Sequence, residues 1–358
     1  MKRLLEDNTA LPQQFHEAYK FCFAAHDIAA QMLVSGMEQD VFVTNLKLRD
    51  EQEKAELEQA SDIIDWLRLS GRMDDEANVL LTMAFPAVLA DMLNCIFEAL
   101  EASRKGKLAI AFMLLRKPFQ ESLYLLESVV ADKAKFAKLI AEDPVGLRPQ
   151  NAGGIDGHTR RIQKVLETIG ETSRLDADYI ARLRYDKTSA DSFDGICNKA
   201  MHLFTDHKAI RTEQYNINFI FSEGEQVMTQ WAYLYSRLPY LMTYIVCLVE
   251  HIAERFAQTH PTYTDDMNRR LAAQLLISSA YVAEDYESEP VTHLNHATYC
   301  WLAQHCLDNG FPAPKVEHLP RMAASGAFPG EQDEGISARD LLYQRITSEW
   351  NGTQEGSP

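Results

Sequence analysis

The sequence predicts an all-α protein: a multi-helix bundle of one or two lobes, with negligible strand. Apolar residues recur at three- and four-residue spacing over long segments, which is the period of a helix that packs on one face. Alternation at period two is sustained nowhere, and the best strand-like fragment, Phe219–Phe221, is too short to matter. Gly and Pro interrupt the helical segments and mark their ends.

The first half of the chain is predicted to contain a helical hairpin. Helices are expected at residues 14–60 (one or two), 61–69, 76–103, 108–131 and 133–142. Gly71 and Pro144 supply stop signals after the second and the last of these. Because the turn Arg104–Lys107 is short, the helices on either side of it should lie antiparallel.

The second half continues as helices after the Gly- and Pro-rich loop 144–157. This loop is a possible sub-boundary within a single helical domain, residues 1–330. Residues 331–358 should form a short helix near 337–349 and a disordered tail, NGTQEGSP. Between these, helices are predicted at 158–169, 174–185, 190–204, 231–260, 265–282 and 290–309.

Residues 231–249 form the most apolar run, with Arg237 as its one charge and Pro239 as its one helix breaker. A membrane span needs about 20 apolar residues, so the run is borderline in length. Its first half is polar, which favours a long buried helix kinked near Pro239. No membrane span is therefore expected.

Charge and cysteine usage limit the classes of function. The net charge of −17 argues against non-specific nucleic-acid binding by the whole surface. Residues 104–211 are the exception, with 19 Lys and Arg against 14 Asp and Glu. An anionic ligand would favour this third, although ordinary solvated helix faces also explain the charge. The six cysteines are scattered without a CxxC pair, and the N-terminus has no signal-peptide-like apolar stretch, so a cytoplasmic location is expected.

The predicted central helix, 108–131, carries polar residues in the middle of an apolar sequence. These residues surround Pro118 and are Arg116, Lys117, Gln120 and Glu121. Arg116 could hold a phosphate or carboxylate group through two parallel hydrogen bonds. On an ideal helix, residues five apart point about 140° from each other, so Arg116 and Glu121 share a face only if Pro118 distorts the turn. The alternative is structural: Arg116 pairs with a buried carboxylate such as Asp194.

A second polar stripe is predicted on the helix that contains Asp194, Asn198 and His202, which follow one another at four-residue spacing. His202 at the end of such a stripe could act as a general base. The candidate catalytic residues are thus His202, Arg116 and Glu121. The candidate ligand-binding residues are Lys117, Gln120, Asp194 and Asn198.

The segments LLRKPFQESLYLLE and CNKAMHLFTDHKAIRTEQYNINFIFS together resemble a group of bacterial all-helical proteins without an established activity. The matching positions are Arg116, Glu121, Asn198 and His202, within residues 105–225. That group is distantly similar to HEPN-type helical nucleases and abortive-infection proteins. The resemblance implies metal-independent cleavage of RNA or nucleotides, and a homodimer. The Arg-x4–6-His motif of HEPN ribonucleases has one counterpart, Arg255–His260, which lacks the usual polar residue after the arginine.

Metal and cofactor binding receive little support. His293, His296 and Cys300 follow one helical face and could offer three zinc ligands, but one straight helix spreads them too far apart to converge on one ion. No Gly-rich fingerprint matches a phosphate-binding pattern, so no cofactor is predicted.

Two hypotheses for function follow. In the first, the protein binds an unknown ligand or protein partner through a polar pocket near Arg116 and His202. In the second, it is a HEPN-like defence protein that cleaves RNA or nucleotides, with Arg116 steadying a phosphate and His202 or His260 as the base. RNA is an expected partner only in the second hypothesis. The sequence leaves open whether the protein is an enzyme.

Overall fold

The computed structural model describes residues 9–202, 204, 210 and 224–354, with side chains as far as residue 345. Helices account for the regular structure of these residues, and no strand occurs among them, so the predicted all-α class is confirmed. The fragment Phe219–Phe221 lies outside the described residues.

The N-terminal half is built around the predicted hairpin. Helix α4 (Met73–Arg104) and helix α5 (Leu108–Lys117) pack along each other on either side of the turn at Gly106, whose φ of +75° favours glycine. Trp231 Nε1 donates to the carbonyl of Ser103 at 2.9 Å, which ties this turn to a later helix. The helices here are α1 His16–Glu38, α2 Glu51–Gln59, α3 Ile63–Leu69, α4 Met73–Arg104, α5 Leu108–Lys117, α6 Leu123–Ala131 and α7 Lys133–Glu142.

The C-terminal half adds a long buried helix and a second, smaller apolar cluster. Its helices are α8 Gly154–Ile169, α9 Ala177–Tyr185, α10 Phe193–Lys199, α11 Glu225–Ala253, α12 Pro261–Ser279, α13 Glu289–Asp308, α14 Leu319–Ser325 and α15 Asp333–Gln354. The smaller cluster lies where α12, α13 and α14 meet, around Leu302, Met322 and Phe328.

Helix α11 runs through the centre of the main core and continues through Pro239. Its sequence 231–249 is almost entirely buried among other helices, as the preference for a core helix predicts. Arg237 is 4% exposed; it pairs with Asp191, and its guanidinium lies over the Tyr233 ring at 4.5 Å. The charge inside this apolar run is therefore compensated.

Several predicted boundaries are corrected. Helix α10 ends at Lys199 rather than 204, and α11 ends at Ala253 rather than continuing to His260. The possible sub-boundary at 144–157 stays a prediction; this loop contains two 3-10 turns. Helix α15 extends through residues 351–354, which were expected to be disordered; residues 355–358 lie outside the described part.

In the described part of the chain, one helix meets the length and composition of a membrane span. It is α4, whose most apolar 18-residue window has a mean hydropathy of 1.8 and is 33% buried. A core helix of a bundle meets the same criteria, and α4 packs against α1, α5 and α7.

Candidate functional site

The central stretch is not one regular helix. After α5 ends at Lys117, residues Pro118–Ser122 form a π turn, in which the N–H of Leu123 donates to the carbonyl of Pro118. Two carbonyls of this turn also accept from side chains of α9: Arg184 Nε donates to Phe119 O at 2.6 Å and Tyr185 Oη donates to Gln120 O at 3.1 Å. Single π turns inside α-helices often occur at functional sites.

The π turn changes which residues share a face. Its hydrogen bonds connect residues five apart, so Arg116 and Glu121 come to the same side of the chain. Together with Gln120 they line one wall of a cavity of about 280 Å³. Arg116 and Glu121 can share a face only if the turn at Pro118 is distorted, and this distortion is therefore present.

The other walls of this cavity come from α8, α9 and α10. Helix α8 contributes its first turn, Gly154 and Ile155, and one turn further on His158; Pro149 and Gln150 precede it. Tyr185 is the last residue of α9, Lys187 follows two residues later, and Asp194 lies at the start of α10. We refer to this space as the Arg116 cavity.

Arg116 itself carries an unsatisfied donor. Its Nε is buried and has no hydrogen-bond partner among the described residues. A buried donor without a partner costs about 1–3 kcal/mol. Arg116 also lines the Arg116 cavity, and a guanidinium favours carboxylate or phosphate oxygens.

The N-terminus of α8 presents further donors to the same space. Gly153, its N-cap residue, has φ of +88°, and no side chain caps the first turn. The first N–H groups of a helix lack partners within the helix and favour anions. Gly157 is required here because a Cβ at that position would lie 1.7 Å from the carbonyl oxygen of Ala152.

Asp194 supplies the buried negative charge of the cavity. Burial raises the pKa of its carboxyl group, while the Gln120 hydrogen bond and the charges of Lys187 and Arg116 oppose that rise. Gln120 Nε2 donates to Asp194 Oδ1 at 2.5 Å. The predicted polar contact between the central stretch and the Asp194 helix therefore exists, but it is made by Gln120.

A buried ion network lies directly beneath the cavity. Glu127 and Arg184 are both fully buried and paired, and Arg161 binds the second carboxylate oxygen of Glu127 at 2.9 Å. Tyr244 Oη donates to Glu127 Oε1 at 2.9 Å. Burial alone would raise the pKa of Glu127, but Arg184 and Arg161 outweigh it and the pKa is lowered.

His158 connects this network to the cavity. Its ring stacks on Tyr185 with centroids 3.5 Å apart, and its Nδ1 lies 2.9 Å from Arg161 Nη2. Since an arginine only donates, Nδ1 accepts and the proton of the neutral ring is on Nε2. Burial, followed by the charges of Arg161 and Arg184, lowers the His158 pKa to about 3. His158 is thus a neutral hydrogen-bond donor, poorly suited to accept a proton at neutral pH.

Three predicted site residues lie away from the Arg116 cavity. His202 is exposed three residues beyond the end of α10, where its N–H donates to the carbonyl of Lys199 at 3.0 Å. Asn198 is half-buried on α10 and does not line the cavity within the described part of the chain. Lys117 points to α4, where its Nζ pairs with Asp91 at 2.6 Å. The stripe Asp194–Asn198–His202 is interrupted because α10 is only seven residues long.

The HEPN-like spacing Arg255–His260 is split between two elements. Arg255 follows the end of α11 and contacts His251 at 3.4 Å. His260 is the N-cap of α12, and its Nδ1 accepts from the N–H of Thr262 at 3.3 Å. The two residues therefore do not form a motif on one helix.

The three candidate zinc ligands, His293, His296 and Cys300, do not converge on one point. His293 Nε2 contacts the carbonyl of Ser173 at 2.9 Å, whereas His296 Nε2 lies 3.6 Å from Cys300 Sγ on an exposed face. Among the described residues, no group of three or more His, Cys, Asp or Glu is arranged to hold a metal ion.

Sequence reasoning missed Glu127, His158, Arg184 and Tyr185. Glu127 had a signal: it is the one charge in the apolar run LYLLESVV. His158 and Tyr185 had none, because stacking between helices α8 and α9 follows from tertiary packing.

Comparison with models of known protein families, with curated proteins and with solved structures found no match for this chain.

Proposed function

We propose that this protein binds a small organic molecule with a phosphate or carboxylate group in the Arg116 cavity. The observation that carries the proposal is Arg116 on the wall of this cavity, with no protein partner for its Nε among the described residues. Lys187 and the uncapped first turn of α8 add positive potential at the same walls. The volume of about 280 Å³ suits a small metabolite rather than a polymer.

The carboxylates that line the cavity indicate a second property of the ligand. Asp194 and Glu121 line it together with the two cations. A ligand with hydrogen-bond donors or an amino group opposite its anionic group would satisfy both sets of charges. Such a ligand fits better than inorganic phosphate alone.

RNA or nucleotide cleavage is the alternative that the resemblance implies, and it needs a base beside Arg116. His202, the predicted base, is exposed and does not line the cavity among the described residues. His158 does line it, but its pKa near 3 leaves it a weak base. These observations favour binding over cleavage.

A thermal-shift screen with phosphate- and carboxylate-bearing metabolites, at constant ionic strength, tests the proposal. Hits are expected with the wild type and should be lost in Arg116→Gln. The matched control is Arg182→Gln, since Arg182 lies on α9 and pairs with Asp178 at the surface. Retention of every hit in Arg116→Gln would contradict the proposed site. RNA cleavage by the wild type that His202→Ala abolishes would support the alternative instead.

A further inference from the structure

A second cavity, of about 360 Å³, lies among residues other than those of the Arg116 cavity. It lies between the C-terminal half of α1, the segment after it, the end of α11 and the start of α12; Tyr343 of α15 closes one side. We refer to it as the α1–α11 cavity.

Its lining differs from the rest of the molecule in charge. Asp, Glu, Lys and Arg make up 24% of the sequence, yet none of the lining residues is one of these. Ile28, Met32, Phe42 and Tyr263 provide apolar or aromatic surface. Desolvating a charged ligand group against such walls would be costly because no opposite charge compensates it.

The polar side chains of the α1–α11 cavity are hydroxyls and amides together with the His260 ring, whose Nδ1 accepts from the N–H of Thr262, and several of them are already engaged. Tyr343 Oη donates to the carbonyl of Thr262 at 3.2 Å, and the Ser35 hydroxyl donates to the carbonyl of Gln31. The side chains of Gln31 and Gln258 also line the cavity, and both residues are exposed. These amides can both donate to and accept from a neutral polar group.

The wall of the cavity is preformed. The Phe42 ring packs edge-on against Phe256 and Phe85, with centroids 5.2 and 5.8 Å away. It also lies over Gly36, where a Cβ would meet the ring at 2.6 Å. Phe42 is therefore held by three contacts and does not need a ligand to position it.

We propose that the α1–α11 cavity binds a neutral, largely apolar molecule that carries an amide, carbonyl or hydroxyl group. This site is independent of the Arg116 cavity and takes the opposite class of ligand. Apolar walls with a few hydrogen-bonding groups are the usual composition of a small-molecule site.

Nile red, a neutral dye whose fluorescence reports an apolar environment, provides the test. The wild type should bind it at one site, and Ala257→Phe, which fills the cavity, should weaken binding at least ten-fold. Ala283→Phe, at an exposed position outside the cavity, should leave binding unchanged. If Ala257→Phe fails to fold, Ala257→Leu provides a smaller obstruction with the same expected direction.

The charge selectivity is tested by competition with two ligands of one skeleton, indole-3-acetamide and indole-3-acetate. The neutral amide should displace Nile red at a concentration at least ten-fold lower than the carboxylate. Equal competition by the two, absence of Nile red binding to the wild type, or unchanged binding in Ala257→Phe would each overturn the proposal.

Discussion

Gln120 Nε2 donates to Asp194 Oδ1 at 2.5 Å, and this contact joins the π turn of the central stretch to the first turn of α10. Gln120→Glu would place two carboxyl groups at this distance. We expect a loss of about 1–3 kcal/mol in the free energy of unfolding at neutral pH, because the buried Asp194 oxygen loses its donor.

The pH dependence of this variant gives a second check. Because burial raises the pKa of Asp194, its folded state binds a proton more readily than its unfolded state. Stability from this group is greatest at low pH and falls as pH rises through the raised pKa. Gln120→Glu should steepen that fall, since one proton shared by the two carboxyl groups would relieve their repulsion. Urea unfolding at pH 5 and pH 8 measures this, and an equal loss at both would contradict it.

The buried pair Glu127–Arg184 should be essential for folding rather than for ligand binding. Glu127→Gln leaves Arg184 fully buried without a counter-charge, so we expect a loss of about 3–5 kcal/mol. Glu167→Gln, at an exposed position on α8, is the control and should change stability by less than about 0.5 kcal/mol. Because the pKa of Glu127 is lowered, its contribution is lost as pH falls below about 4.5.

His158 should also make the protein less stable in acid, but through a basic group and not through a carboxyl group. Its folded pKa of about 3 lies below its ordinary value of 6.5, so between these values the unfolded state binds more protons. Stability from His158 is present above pH 6.5 and is lost as pH falls towards 3. His158→Gln keeps an acceptor for Arg161 and should flatten unfolding free energy between pH 4 and 6. In NMR spectra, the His158 ring should not titrate above pH 5.

The sequence predicts which residues line the Arg116 cavity better than it predicts how they are arranged. The sequence predicts Arg116, Gln120, Glu121 and Asp194 as candidate site residues, and all four line one cavity. Helical periodicity and a charged interruption of an apolar run were enough to find them. The face shared by Arg116 and Glu121 depends on the π turn, which periodicity does not report.

His202 and His158 are two residues whose place in the structure the sequence does not predict. An ideal continuation of α10 placed His202 on the stripe of Asp194, but the helix stops at Lys199. Sequence spacing does not indicate His158, because its role arises from Arg161, Tyr185 and burial together. Local spacing predicts which residues share a helix face, whereas contacts between helices decide which faces meet.

Arg116 should affect binding and stability in opposite directions. Arg116→Met removes an unsatisfied buried donor and keeps an apolar stem, so the free protein should be as stable as the wild type or more stable by about 1 kcal/mol. The same variant should lose the stabilisation by any ligand of the Arg116 cavity. Thermal unfolding with and without the ligand separates the two effects; a destabilised free protein would indicate a structural ion pair for Arg116.

Two glycines near the C-terminus allow the packing of the smaller cluster to be tested with a matched pair. Gly326 and Gly330 both have positive φ, +64° and +78°. A Cβ at Gly326 would lie 2.0 Å from Oδ1 of Asp266, whereas nothing lies within 4 Å of one at Gly330. Asp266 is fully buried and pairs with Arg269 at 2.7 Å and Arg270 at 2.6 Å.

Gly330→Ala should therefore cost only the backbone strain, about 1–2 kcal/mol. Gly326→Ala should cost clearly more, because the new methyl group displaces the Asp266 carboxylate from two arginines in a buried site. Hydrogen exchange of the amides in α12 and α14 locates the effect: exchange should accelerate there in Gly326→Ala and stay slow in Gly330→Ala. Equal destabilisation by the two substitutions would mean that Asp266 moves aside without cost.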